Sequence, residues 1–194
     1  MFSINLNKNK SIIFILIATI TSTVFADYQQ QVQRDEPIAW FRFDDYRYKN
    51  GFCVQDFMDS MDGVVYEGDT MTVGGGIDGK CAWFNGHSAG VNLGNKIGPV
   101  LNHADAITCE LWFRNSCFDP AVNYHRIFSS RISAGYAGFE IGLEYNNGDG
   151  RISFGARSSI SDSYQFIRTT FTTIDSWAHL VCVADYANGL MKIY

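Results

Sequence analysis

A hairpin pattern over residues 176–194 constrains the fold more than any other feature of the sequence. Side chains alternate along its first half, and the dipeptide Asn188-Gly189, the strongest short signal for a turn between two strands, follows them. The apolar set on one face of this alternation is Leu180, Cys182 and Ala184. The stretch predicts an antiparallel β-hairpin, and we expect further strands of the same sheet beyond Tyr194.

A second clear strand is predicted from Ala106 to Arg114, where every other side chain is apolar. Short apolar stretches broken by Gly, Asn and Asp recur at roughly ten-residue intervals elsewhere, which indicates an all-β sandwich. The other strands are predicted at residues 37–44, 64–66, 69–73, 79–86, 89–94, 126–131, 138–145, 151–157 and 164–170. We predict a loop at Lys96–Asp105 and a flexible turn at Gly74–Gly76.

The first 26 residues have the pattern of an export signal. Lys8 and Lys10 form a basic start, an apolar run follows, and Ala26 is a small residue at a plausible cleavage point. Because the run is short for a bilayer, we expect cleavage, with an uncleaved anchor as the alternative. A mobile lead-in is expected at residues 27–36 and one domain at 37–194, with no later membrane span.

The charge balance limits the class of partner. Cleavage after Ala26 would leave 13 basic and 20 acidic residues, because Lys8 and Lys10 are the only charged residues before it. Such acidity argues against a nucleic-acid partner, which needs a basic surface. It is compatible with an exported soluble protein and with the binding of divalent cations.

The chain has five cysteines, at positions 53, 81, 109, 117 and 182. Disulfides are expected in an exported chain, and the odd number leaves at least one cysteine unpaired or bonded elsewhere. No two cysteines form a Cys-x-x-Cys pair, so a zinc site is not expected.

Four segments carry motifs that support a family assignment. They are Ala39–Asp44 with the aspartate-rich turn at 56–63, Gly79–Gly86, Ile107–Phe113, and the hairpin that begins Trp177-Ala178-His179. In this order they resemble the laminin-G-like and pentraxin-like domains of the concanavalin A-like lectin and glucanase superfamily. The resemblance covers most of residues 38–194 and implies an all-β fold, an antiparallel β-sandwich of the concanavalin A-like jelly-roll type.

The resemblance also implies a disulfide. Pentraxin-like domains place cysteines in the strands that correspond to those of Cys109 and Cys182. Cys53 with Cys81 is a possible second pair and Cys117 the remaining cysteine, but the sequence does not decide among these connectivities.

Asp56, Asp59 and Asp62 are the candidate metal ligands. Clustered carboxylates next to glycine suit calcium, which takes six to eight oxygen ligands, and jelly rolls of the resembled type often hold one. The spacing is not that of an EF-hand, and aspartates that cap a solvated turn are the alternative interpretation.

The sequence contains no recognisable catalytic motif. Glu140 and Glu144 can lie on one face of a predicted strand, as the carboxylates of a glycosidase would, but without the intervening aspartate we interpret them as acids on a solvated face. His179 is expected to make a structural hydrogen bond, while the loop or strand-start histidines His87, His103 and His125 suggest no nucleophile system.

Taken together, these features predict a secreted, non-catalytic recognition or adhesion module that binds a glycan or an extracellular protein. Aromatic side chains expected in loops could stack on sugar rings; they are Tyr46, Tyr48, Tyr124 and Tyr136. The alternatives are a domain of a carbohydrate-active enzyme and a structural spacer without ligand. We also expect further domains in a longer chain.

Overall fold

The computed structural model describes residues 2–6, 11–14, 30–44, 47–48, 51, 53–66, 70–77, 79–86, 88–102, 104–116, 124–130, 138–146, 149–159 and 162–194. These residues contain sixteen strands: β1 (Phe2–Leu6), β2 (Ser11–Phe14), β3 (Ala39–Phe41), β4 (Arg47–Tyr48), β5 (Cys53–Val54), β6 (Gly63–Tyr66), β7 (Thr70–Gly76), β8 (Gly79–Trp83), β9 (Gly90–Asn92), β10 (Ala106–Arg114), β11 (Tyr124–Ser129), β12 (Gly138–Asn146), β13 (Asp149–Arg157), β14 (Gln165–Thr170), β15 (Trp177–Asp185) and β16 (Leu190–Ile193). A short helix, α1, covers Ile97–Leu101.

The strands form four sheets. A six-stranded sheet has the order β16-β15-β10-β2-β1-β3 and a four-stranded sheet the order β11-β12-β13-β14, while β4-β7-β8 and β5-β6-β9 form two smaller sheets. The pairing of β2 with β10 is parallel, and the other pairings among the described strands are antiparallel. This architecture confirms the predicted antiparallel all-β fold.

The hydrophobic core contains buried side chains from the six-stranded and four-stranded sheets, together with others from β5, β6 and α1. Alternate residues of β10 are buried, as the sequence predicted, and so are alternate residues of β15. They join buried side chains of β12 and β13 in one cluster, whose central members are Ile107, Leu111, Leu180, Phe139, Ile141, Ile152 and Phe154. The remaining side chains of β12 and β13 therefore lie on the opposite side of their sheet.

The terminal hairpin has the predicted form. Its strands pair from Asp185↔Leu190 to Cys182↔Ile193, and Gly189 takes the left-handed conformation (φ +63°) that the turn requires. The Asp185 carboxylate accepts hydrogen bonds from the backbone N–H and side-chain amide of Asn188, 3.0 and 2.8 Å long. These contacts, which also lower the pKa of Asp185, fix the turn locally.

Cys109 and Cys182 are directly opposite each other in the β10–β15 pair, and both are fully buried. The structure has them as thiols, with burial raising the pKa of each. Cys53 and Cys81 are also thiols and lie in different small sheets, and Cys117 is outside the described residues. The disulfides thus stay predictions.

Peptide mapping of the whole chain under non-reducing conditions tests the first pair. We expect the peptides that contain Cys109 and Cys182 to be recovered as one linked species, because the two positions face each other in the register. Recovery of both cysteines alkylated as free thiols would contradict the prediction.

Three local predictions differ from the structure. The predicted loop at Lys96–Asp105 contains helix α1, because Ile97 and Leu101 are spaced to bury on one side of a helical turn. The predicted turn at Gly74–Gly76 belongs to β7, where a register shift accommodates Gly75 at φ +82°. In the lead-in, residues 30–34 are helical and Val32 is fully buried.

The segment predicted as an export signal contributes backbone to the six-stranded sheet. β1 pairs with both β3 and β10, and β2 pairs with β1 and β10. Cleavage after Ala26 stays a prediction. Within the part of the chain described here, no helix combines the length and apolar character needed to cross a membrane.

Candidate functional site

The side of the four-stranded sheet that points away from the core carries a dense set of polar and aromatic side chains. We call it the outer face. Its register follows from β12, where Phe139, Ile141 and Leu143 point into the core and the residues between them point out. The outer face comprises Tyr124, Arg126, Ser129, Gly138, Glu140, Gly142, Glu144, Asp149, Arg151, Ser153, Gly155, Arg157, Tyr164, Phe166, Arg168 and Thr170.

Cross-strand pairing arranges these residues in rows. One row runs from Arg126 on β11 across Gly142 and Ser153 to Arg168 on β14. In the sheet, side chains directly opposite one another lie close together on the same face. The row therefore has an arginine at each end and two small residues between them.

The Glu140 carboxylate organises one side of the outer face. Its side chain is only 2% exposed, and it accepts hydrogen bonds from the Tyr124 hydroxyl (2.8 Å), Arg126 Nε (3.0 Å) and the Ser129 hydroxyl (3.3 Å). Burial, followed by the hydrogen bond to Glu140, raises the pKa of Tyr124, and the same carboxylate raises the pKa of Arg126. Tyr124 and Arg126 are thus held in fixed positions.

A second ion pair lies on the other side of the outer face. Arg168 Nε is 2.8 Å from the Glu144 carboxylate. Burial alone would raise the pKa of Glu144, but the hydrogen bond from Arg168 and the charges of Arg168 and Arg151 lower it overall. Glu144 is therefore ionised at neutral pH and anchors Arg168.

Glycines make room for the aromatic rings of the outer face. A Cβ atom on Gly142 would lie 2.3 Å from Tyr124 Cζ, and one on Gly155 would lie 2.3 Å from Phe166 Cε1. The rings occupy the space that a larger residue would fill. Their positions consequently depend on these two glycines.

An arginine guanidinium also stacks over each of three aromatic rings. The Cζ atoms of Arg126, Arg157 and Arg168 lie 5.6, 4.9 and 5.4 Å from the ring centroids of Tyr124, Tyr164 and Phe166. Such stacking stabilises an arginine while its N–H edge stays available for polar contacts. The outer face is thus a preorganised surface of rings and guanidinium groups.

Replacing Gly142 by alanine should displace Tyr124 and lower the free energy of unfolding by about 1 to 2 kcal/mol, since overpacking outweighs the gain from removing a strand glycine. Urea unfolding measures the change. Gly74→Ala in β7 is the matched control, because a Cβ there meets nothing within 4 Å. Equal stability of the two variants would contradict the close contact between the Tyr124 ring and the backbone at Gly142.

The aspartate-rich turn has a different arrangement. Asp56 is fully buried, and its carboxylate accepts hydrogen bonds from the backbone N–H groups of Trp40, Met58, Ser60 and Met61 and from the Ser60 hydroxyl. Asp62 accepts from the backbone N–H of Asp56 at 2.8 Å. Asp56 and Asp62 thus cap the turn.

This turn does not fit the predicted calcium ion. A carboxylate has about four lone-pair sites, and five donors already contact that of Asp56. Asp59 is exposed. Nowhere in the described part of the chain do three His, Cys, Asp or Glu side chains group closely enough to hold a metal ion. Calcium binding stays a prediction without geometric support.

The structure brings Glu140 and Glu144 to one face, as predicted, but the solvated interpretation is wrong for Glu140, which is buried under three donors. The donors lie on β11, a strand that pairs with β12 through a register shift invisible in the sequence. His179 contacts Glu110 at 2.7 Å and stacks on Trp112, consistent with the predicted structural hydrogen bond.

Of the predicted sugar-stacking tyrosines, only Tyr124 has a described side chain. It lies in strand β11 rather than in a loop. Tyr46 and Tyr136, like His87 and His103, are outside the described residues, and for Tyr48 only the backbone is described.

Three residues of the outer face were not among the predicted site residues, namely Arg126, Arg168 and Phe166. A sequence signal for this face did exist. Charged and aromatic residues alternate with apolar ones in several predicted strands, and because these strands are close in sequence they are candidates to pair with one another. The sequence predicts a hairpin connection at 146–150, and a register counted from it agrees with the observed pairing of β12 and β13, which places Glu144 opposite Arg151.

Comparison with protein families identifies one match, to a laminin-G model described as concanavalin A-like lectin/glucanases superfamily, over residues 85–194. No curated protein and no solved structure matches the chain. The matched residues include the whole four-stranded sheet and the terminal hairpin. Since they make up more than half of the 194 residues, the chain belongs to the laminin-G family of the concanavalin A-like lectin/glucanases superfamily.

Proposed function

We propose that this chain is a secreted, non-catalytic recognition module that binds a glycan or glycoprotein through the outer face of the four-stranded sheet. Family membership supports a lectin-like or adhesion module at the coarse level. The observation that carries the more specific proposal is the outer face itself, where three rings are stacked with arginines.

The chemistry of this face suits a saccharide. A sugar ring has apolar C–H patches that pack on aromatic rings and hydroxyl groups that bind fixed polar groups. Glu140 and Glu144 already fix the two arginines that flank the sheet. Less side-chain entropy is therefore lost when a ligand binds.

Binding of the whole chain to a panel of immobilised glycans tests the proposal. We expect at least one glycan to bind and Tyr124→Ala to weaken that binding, because Tyr124 packs over the centre of the face. The matched control is Trp83→Ala, which removes an exposed aromatic side chain from a different sheet. Absence of glycan binding would leave the structural-spacer alternative.

The enzyme alternative rests on Glu140 and Glu144, which share the outer face. Four residues along a strand span about 13 Å, whereas the paired carboxyl groups of most glycosidases are about 5 to 10 Å apart. Both carboxylates are also engaged by arginine. Release of reducing sugar from a bound glycan, abolished by Glu140→Gln, would support the enzyme instead.

Calcium binding at Asp56, Asp59 and Asp62 is tested separately. If the prediction is correct, calcium should raise the midpoint of thermal unfolding above that in chelator, because ligands that bind the folded state stabilise it. Because the Asp56 carboxylate already accepts hydrogen bonds from the turn, we expect calcium binding there to change the unfolding midpoint little or not at all. A shift of several degrees that is lost in Asp59→Asn would show that the turn binds the ion.

A further inference from the structure

The sequence contains asparagine–glycine pairs at residues 50–51, 85–86, 147–148 and 188–189. Such a pair is prone to rearrange chemically, because glycine has no side chain to hinder attack of its backbone nitrogen on the preceding side-chain amide. The structure describes the asparagine side chains of two pairs, Asn85 and Asn188. Their amide groups have opposite surroundings.

The side chain of Asn85 closes a tight turn. Its Oδ1 atom accepts hydrogen bonds from the backbone N–H groups of Ser88 and Ala89, both 3.0 Å long. Its Nδ2 atom lies 3.4 Å from the Ser88 hydroxyl oxygen. The adjacent Gly86 is exposed and has φ +75°, which glycine adopts without strain. Two N–H donors therefore converge on the amide oxygen, and one hydroxyl lies beside the amide nitrogen.

These contacts suit cyclisation of the Asn85 amide. When the Gly86 nitrogen attacks Asn85 Cγ, negative charge develops on Oδ1. The two backbone N–H groups that already donate to this atom stabilise that charge, as the donors of an oxyanion hole do. The Ser88 hydroxyl lies where the departing nitrogen needs a proton, so it is placed as a general acid.

We propose that Asn85 is a site of self-catalysed deamidation, which the folded turn accelerates. A bond forms from Gly86 N to Asn85 Cγ, the Gly86 N–H proton passes to hydroxide, and the Cγ–Nδ2 bond breaks. The amide nitrogen leaves as ammonia with a proton from the Ser88 hydroxyl, which regains a proton from water. Water then opens the succinimide ring at either carbonyl group and leaves aspartate or isoaspartate at this position.

Asn188 has the opposite environment. Its backbone N–H and its side-chain amide donate to the two carboxylate oxygens of Asp185, over 3.0 and 2.8 Å. These hydrogen bonds lower the pKa of Asp185, which is therefore ionised at neutral pH. A carboxylate beside the amide opposes the negative charge of the tetrahedral intermediate and has no proton to give to the leaving nitrogen. We therefore expect Asn188 to react slowly in the folded chain.

Deamidation of Asn85 would change the chain at the connection between two sheets. The turn lies between β8 and β9, which belong to the β4-β7-β8 and β5-β6-β9 sheets. The reaction replaces a neutral amide by a carboxylate, and isoaspartate also lengthens the backbone of the turn. Both products remove the geometry in which the Asn85 side chain holds Ser88 and Ala89.

Peptide mapping by mass spectrometry, with the whole chain incubated at mildly alkaline pH, tests the proposal. We expect Asn85 in the folded chain to convert about tenfold faster than Asn188, the effect of about two neutral hydrogen bonds in the transition state. The reference is the same chain unfolded in guanidinium chloride, where the turns are lost. There Asn85 should react more slowly than in the folded chain, and Asn188 faster.

Variants assign the effect to the turn. Ser88→Ala keeps both backbone donors and removes the hydroxyl, so it should slow conversion of Asn85 about two- to tenfold. Ala89→Pro removes one N–H donor from Oδ1 and should slow conversion by a similar factor. Ser158→Ala is the matched control, because Ser158 is an exposed serine that donates to a different side chain, that of Asp162. Circular dichroism shows which variants are folded, and Ser88→Ala alone suffices if Ala89→Pro unfolds.

The outcomes are distinct. Faster conversion of Asn85 in the folded chain than in the unfolded chain, slowed by Ser88→Ala and unaffected by Ser158→Ala, supports the proposal. Conversion in the folded chain at or below the unfolded rate overturns it, because the turn then protects the amide. A rate that is unchanged in every folded turn variant also overturns it, since neither the hydroxyl nor the N–H donor then contributes.

Discussion

Replacing Asp56 by alanine is expected to lower the free energy of unfolding by about 3 kcal/mol or more, enough to leave a domain of this size marginal. The carboxylate is fully buried and accepts five hydrogen bonds, four of them from backbone N–H groups. Of these donors, Trp40 and Met61 are themselves buried, so alanine leaves their N–H groups without water as a replacement.

The consequence extends beyond the turn. Asp56 contacts the backbone of Trp40 in β3 at 2.6 Å, and the Phe57 N–H donates to the Trp40 carbonyl at 2.9 Å. The turn is therefore attached to the edge strand of the six-stranded sheet. We expect the loss to appear as cooperative destabilisation of the domain, not as local fraying.

Urea unfolding with two matched variants distinguishes this role from a general effect of charge. Asp59→Asn changes an exposed residue at φ +54°, which asparagine tolerates, and should alter stability by less than about 0.5 kcal/mol. Asp62→Ala removes the acceptor for one backbone N–H and should cost about 1 kcal/mol. Equal stability of Asp56→Ala and Asp59→Asn would show that the five hydrogen bonds make no net contribution to the free energy of unfolding.

The predictable part of the fold was the part encoded by local alternation. β10 and the terminal hairpin were predicted closely because one apolar face in a strand specifies the register on its own. Residues 11–14 show the limit of that rule. A short apolar run is compatible with an export signal, a buried strand or a helix, and its sequence does not separate them.

The candidate site was less predictable because it depends on contacts between distant residues. Arg126 and Glu140 meet only after β11 and β12 pair with a register shift, and Asp56 reaches an N–H group sixteen positions away. Single-sequence patterns predict the face on which a residue lies. They do not predict the hydrogen-bond partners that convert a solvated acid into a buried one.

Glu140 is the second position where we expect a large effect, because one carboxylate holds three donors on the outer face. Glu140→Ala should lower the free energy of unfolding by about 2 to 3 kcal/mol, since the partly buried Tyr124 hydroxyl loses its acceptor. Arg126 is more than half exposed and regains water, so the full penalty of breaking a buried ion pair does not apply.

A double-mutant cycle of Tyr124→Phe and Glu140→Gln isolates the hydrogen bond from the packing of the ring. Both substitutions keep the shape of the side chain, and we expect a coupling energy of about 1 kcal/mol in urea unfolding. The second cycle pairs Tyr124→Phe with Glu144→Gln, which changes the carboxylate directly opposite Tyr124 across the strands. The Tyr124 hydroxyl donates to Glu140 and Glu144 pairs with Arg168, so we expect this cycle to show the smaller coupling. Equal coupling in the two cycles would mean that Tyr124 responds to the general charge of the face. Coupling confined to Glu140 would show that this carboxylate positions the ring on which the proposed saccharide site depends.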